Sequence, residues 1–203
     1  DVAHGFLGRP MDYASGAHQS QSNRQAALGG LTHEATELVL VQQVHSARVE
    51  IANVRDVHAL AAIPADAFIS NEPGRAVGVL TADCVPVLLY AADTRWVGAV
   101  HAGRKGALAE IVPKTIAALE TFGAARSALR VGIGPYIHAA SYEVGESMYS
   151  MLPNEARYRA PDQRFCCDLG ALINTQLEKL GIGADQVHNL ELDTWGSSDW
   201  HSY

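Results

Sequence analysis

Short apolar runs broken by single polar residues dominate the first two thirds of the chain. Residues 38–44 (LVLVQQV), 49–51 (VEI), 76–80 (AVGVL), 85–90 (VPVLLY) and 96–100 (WVGAV) are such runs, and 129–133 (LRVGI) is another. Continuous apolar stretches bounded by Gly and Asp predict strands covered on both faces. Helical spacing lies between and after them. Leu108, Ile111, Val112, Ile116 and Leu119 share one helical face, with Gly123 as terminator and Pro113 expected to kink the helix or mark a restart. Ser141 is expected to cap a helix that runs to Met151 and stops at Pro153. Asp168 is expected to cap a further helix, whose face carries Leu169, Leu172, Ile173, Leu177 and Leu180 ahead of Gly181. Strands and helices are interspersed, so the fold class is α/β or α+β, with residues 1–203 as a single domain.

Composition narrows the function. With 48% hydrophobic residues in 203, the chain has the material for a real core. Fifteen basic and twenty-two acidic residues leave a net charge of −7, which argues against nucleic acid and anionic membranes as partners. No apolar run approaches the ~20 residues of a membrane span. The opening Asp1-Val-Ala-His-Gly-Phe lacks the layout of a signal peptide. Three cysteines, two of them adjacent, make no disulfide framework. A cytoplasmic protein with free thiols is expected.

The chain has no Gly-x-Ser-x-Gly, no P-loop, no His-Glu-x-x-His and no Cys-x-x-Cys. Three residues at the ends of apolar runs remain: His45, Cys84 and His101. One thiolate and two imidazoles suit zinc, and three protein ligands leave a position for water or substrate; copper accepts the same donors. The spacing matches no compact zinc module. A lone cysteine among Val and Leu is ordinarily a small buried hydrophobe, and Cys84 with His101 as base would alternatively make a nucleophile. Gly103-Arg104-Lys105-Gly106 offers two cations at a helix start, suited to phosphate or to nothing more than an exposed turn. Asp83 is either a proton carrier, an orienting group or a turn cap. Cys166 and Cys167 read as structural.

Gln43-Val44-His45, Ala65-Asp66-Ala67, Leu80-Thr81-Ala82-Asp83-Cys84-Val85-Pro86-Val87-Leu88, Val100-His101-Ala102-Gly103, Gly132-Ile133-Gly134-Pro135, Tyr142-Glu143-Val144-Gly145 and Ser202-Tyr203 occur in this order. Over about residues 38–203 the chain thereby resembles the YfiH-like family, also called the laccase-domain or polyphenol oxidase family. The resemblance implies mixed sheets flanked by helices, a fold related to a cysteine-hydrolase-like toxin fold. It implies zinc held by His45, Cys84 and His101. It also implies purine nucleoside chemistry: phosphorolysis of adenosine, inosine and methylthioadenosine, and adenosine deamination. Asp83 and Cys84 would then be catalytic, with Arg104 and Lys105 on phosphate. A copper-dependent polyphenol oxidase and a non-catalytic metal-binding domain are the alternatives. The chain departs from the family pattern where Arg104-Lys105 replaces Trp-Arg and where Asp193-Thr194 replaces Cys-Thr. It also lacks a Gly-Gly-Val-Ser segment between Arg9 and Asn23.

Overall fold

The structure is a computed structural model that describes residues 2–8, 18–31, 37–40, 42–53, 59–60 and 62–202. Residues 9–17 of the segment after Arg9, residue 41 of the run 38–44, and Tyr203 of the terminal motif lie outside the described residues.

The buried apolar runs pair into one mixed sheet. Its strands are β2 (Val49–Ile51), β3 (Ala67–Ser70), β5 (Val85–Ala91), β6 (Val97–Ala102), β7 (Leu129–Ile133) and β10 (Val187–Asn189), in the order β10-β7-β5-β6-β3-β2. The inner pairs are antiparallel, and the two outermost, β10 with β7 and β2 with β3, are parallel. Two small sheets accompany it: β1 (Glu37–Leu40) parallel to β4 (Arg75–Gly78), and β8 (Arg157–Arg159) antiparallel to β9 (Phe165–Cys167). Side chains alternate across β3. Ala67 and Ile69 enter the main core, whereas Phe68 joins Val39, Ala52 and Leu60 in a second cluster beside Val77 of β4. Both faces of this strand are therefore covered, which is why its sequence reads as continuously apolar.

The helices are α1 (His18–Leu31), α2 (Arg104–Leu108), α3 (Ile111–Thr121), α4 (Glu146–Met151) and α5 (Leu169–Lys179). The fold is the mixed-sheet α/β arrangement with flanking helices that the sequence implies. α3 lies against β2, β3 and β6, and α5 packs on α2 and α3. Asp168 caps α5 as expected, its Oδ1 accepting from Ala171 N at 2.8 Å. Leu169, Leu172, Ile173 and Leu177 are buried, and Gly181 follows in a left-handed conformation.

Four expectations need correction. The stretch from Leu108 to Leu119 is two helices, broken at Glu110 (φ 62°); Leu108 belongs to α2 and is 41% exposed. Of the two roles expected of Pro113, the restart holds and the kink does not: it sits in the first turn of α3, where its missing N–H has no intrahelical partner to lose. Ser141 caps no helix: α4 begins at Glu146 with Gly145 before it, and the Ser141 hydroxyl donates to Asp193 instead. Among the described residues of the run 38–44, Leu38–Leu40 lie in β1 and Gln42 makes an isolated bridge to Pro64, while the Gln43 amide donates to Leu80 O and accepts from Leu80 N. Strands β3, β8, β9 and β10 and helix α1 have no counterpart in the sequence reading.

Candidate metal centre

His45 sits in a turn rather than at a strand end, at φ 57°, a left-handed conformation that costs energy unless neighbours hold it. A single buried carboxylate holds it. Asp66, just before β3, accepts from the backbone N–H of Val44 (3.3 Å), His45 (3.0 Å) and Ser46 (2.6 Å) and from the Ser46 hydroxyl (2.7 Å). Cys84 follows the break between β4 and β5. There Asp83 takes φ 75°, its carboxylate accepting from Thr194 Oγ1 at 2.6 Å and its carbonyl from Ile137 N at 3.0 Å. His101 lies within β6, opposite Pro86 of β5, rather than beyond the strand's end. It is 3% exposed, and its Nδ1–H donates to Asp66 Oδ1 at 2.8 Å.

These three elements bring the predicted donors together. One donor atom from each of His45, Cys84 and His101 lies within 4.8 Å of the other two. His45 Nε2 is 3.9 Å from Cys84 Sγ, and the two imidazoles meet edge to face with centroids 4.8 Å apart. Zinc bonds of ~2.0–2.3 Å in tetrahedral geometry place donors roughly 3.3–3.6 Å apart, a small contraction from this arrangement. Gly103 lets them converge. A Cβ there would stand 2.8 Å from His45 Cδ2, 3.1 Å from Cys84 Sγ and 3.6 Å from His101 Cε1. Gly106 serves the same end from α2, since a Cβ would stand 2.7 Å from Ser46 O. The donor set and the cradle around it fit zinc or copper.

Electrostatics favour a cation. Burial pushes the Cys84 thiol up to about 11, with the charges of Asp83 and Asp66 adding to the rise and Arg104 opposing it. At neutral pH such a thiol stays protonated, a poor nucleophile, and a cation at the site favours its thiolate. Burial lowers the His101 pKa, while its bond to Asp66 works against that fall. A neutral imidazole is the form that binds metal. Burial alone would raise the Asp66 carboxyl; the bonds from His101 and Ser46 outweigh it and hold the group below the usual carboxylate range.

The remaining predicted residues differ in placement. Arg104 is half-buried at the start of α2, its Nη1 3.4 Å from the Tyr142 hydroxyl, and its charge reaches Cys84, Cys167 and Tyr142. Lys105 is exposed. Cys166 and Cys167 are buried in β9 as free thiols, with Cys167 pushed up to about 11 by burial. Three contributors carry no role in the sequence reading: Asp66, Tyr142 and Thr194. Asp66 had a readable signal, a lone acid between small apolar residues ahead of a buried strand, because a charge in such a place demands partners. Thr194 and Tyr142 had none, since only the folded chain brings them to Asp83 and Arg104.

The model of the multi-copper polyphenol oxidoreductase laccase family matches residues 13–203, and the chain belongs to this YfiH-like, laccase-domain family. It is 40% identical over 129 residues to a protein of Corynebacterium glutamicum named purine nucleoside phosphorylase, covering 64% of this chain. The chain spans 52% of that relative's length. A Bacteroides thetaiotaomicron protein of the same name is 34% identical over 195 residues, 88% of this chain and 72% of the relative. Among solved structures, the YfiH protein of Bacillus licheniformis superposes with a TM-score of 0.81 at 23% identity, over 98% of this chain and 83% of that one. YlmD from Geobacillus stearothermophilus gives the same TM-score.

Proposed function

We propose that the chain is a zinc-dependent purine nucleoside enzyme, with phosphorolysis as its principal reaction and adenosine deamination as a second activity at the same centre. The observation that carries this reading is the convergence of His45, Cys84 and His101 beside the half-buried Arg104. The names of the 40% and 34% identical relatives support the substrate class. His45, Cys84 and His101 hold the ion. When bound, zinc supplies Lewis-acid polarisation and can activate water. Arg104 receives phosphate, its guanidinium steadied by the Tyr142 hydroxyl, and Lys105 adds a second, more mobile charge. A phosphate oxygen forms a bond to C1′ as the C1′–N9 bond breaks, and the base departs with the proton that dihydrogen phosphate gives up. Fixed cations near the attacking anion orient it and need no reorganisation as charge shifts. In the deamination Asp83 is the proton carrier, aimed by Thr194 Oγ1.

The family's description favours a second reading, a copper oxidase of phenols. Coupling four one-electron oxidations to O₂ takes several coppers, and among the described residues there is one group of three converging donors. The deciding experiment measures metal content of protein purified without chelators, then adenosine turnover with and without phosphate. One zinc per chain, with adenine released only in the presence of phosphate, is expected. Inosine formed without phosphate assigns deamination. Several coppers with phenol turnover overturn the proposal, as does a Cys84→Ala variant that loses zinc yet keeps full phosphorolysis.

A further inference from the structure

We infer that Asp66 is a positioning residue that builds the metal centre before any metal arrives, an inference that rests on reading His45, Cys84 and His101 as the ligands. One wholly buried carboxylate reaches two of the three. Its Oδ1 accepts from His101 Nδ1 (2.8 Å) and from the His45 backbone N–H (3.0 Å). Its Oδ2 accepts from Ser46 N (2.6 Å), Ser46 Oγ (2.7 Å) and Val44 N (3.3 Å). The Asp66 carbonyl also accepts from His101 N at 2.7 Å, locking the carboxylate's own backbone to β6.

Two consequences follow from this geometry. With its proton committed to Nδ1, His101 presents Nε2 as the nitrogen with a lone pair, which fixes the tautomer that a metal requires. The turn 44–46 is closed around the same carboxylate, so the left-handed backbone of His45 is held in place and its ring stays 4.8 Å from the His101 ring. Asp66 therefore fixes both the relative position of the two imidazoles and the face that His101 turns to the centre. A buried charge with five donors around it is costly to assemble, and burial here is complete.

The test compares wild type, Asp66→Asn and Ser46→Ala. In the metal-free wild type, ¹⁵N-detected NMR of the imidazoles is expected to show His101 protonated at Nδ1. Asp66→Asn keeps an acceptor for His101 but places an NH₂ group against backbone donors. Its zinc affinity, read by competition with a chromophoric chelator, is expected to fall 10–100-fold. Ser46→Ala removes one bond on the loop side only and is expected to change zinc affinity less than about threefold. A His101 proton found on Nε2 in the wild type overturns the inference without recourse to any variant. So does a folded Asp66→Asn protein that binds zinc as tightly as wild type. Wild-type protein that takes up no zinc overturns the metal reading and this inference with it, so the two failures are distinct.

Discussion

Gly103 is where one methyl group decides whether three donors can meet. An alanine there sets its Cβ 2.8 Å from His45 Cδ2 and 3.1 Å from Cys84 Sγ, so the ligands must separate. Gly103→Ala is expected to weaken zinc binding at least about tenfold while leaving the melting temperature of the metal-free protein nearly unchanged. Chelator competition and a thermal melt check both halves. Asp193 carries a different kind of prediction. Burial raises its carboxyl, but bonds from the N–H groups of Trp195 and His138 and from the Ser141 hydroxyl prevail and hold it below the usual range. A lowered carboxyl stabilises the fold above the unfolded pKa of about 4 and loses that contribution as pH falls through the folded value. Asp193→Asn is therefore expected to be less stable than wild type by about 1 kcal/mol at pH 6. Urea unfolding should show the gap closing as the pH falls below about 4 and through the lowered folded value.

At the scale of elements, helix α5 packs on α2 and α3 and carries none of the three ligands. Its cap and its buried face act separately. Asp168→Ala removes the acceptor for Ala171 N and is expected to cost about 1 kcal/mol, a drop of roughly 2–4 °C in melting temperature. Ile173 is fully buried in the main core, and Ile173→Ala is expected to cost ~2–5 kcal/mol by transfer and cavity terms. Denaturant midpoints measure both. Neither change should alter zinc affinity, because the ligands stand on the turn at His45, just before β5 and in β6, and Asp66 rather than α5 ties His45 to His101.

For the molecule as a whole, a ligand that binds only the native state raises stability by mass action. Zinc at about one hundred times its dissociation constant should stabilise the wild type by ~2.7 kcal/mol and leave Cys84→Ala unmoved. Calorimetry over a series of free zinc concentrations reads this directly. With a net charge of −7 a polyanion is disfavoured as a partner, and in the proposed reading Arg104 and its neighbour Lys105 serve a small anion.

The apolar runs by themselves determined β2, β5, β6 and β7 and the faces of α3 and α5, because burial on both sides of a strand and on one face of a helix writes a period into the sequence. They also singled out His45, Cys84 and His101 as polar residues interrupting or ending such runs. β8 (RYR) and β10 (VHN) carry no apolar run that would announce a strand. The role of Ser141 was settled by its tertiary contact with Asp193, which no local preference encodes. That the three candidate ligands face one another, and that Asp66 rather than a neighbour in sequence aims two of them, was decided only by the sheet. Its register sets His101 against Asp66, and its packing folds the His45 turn over the same carboxylate.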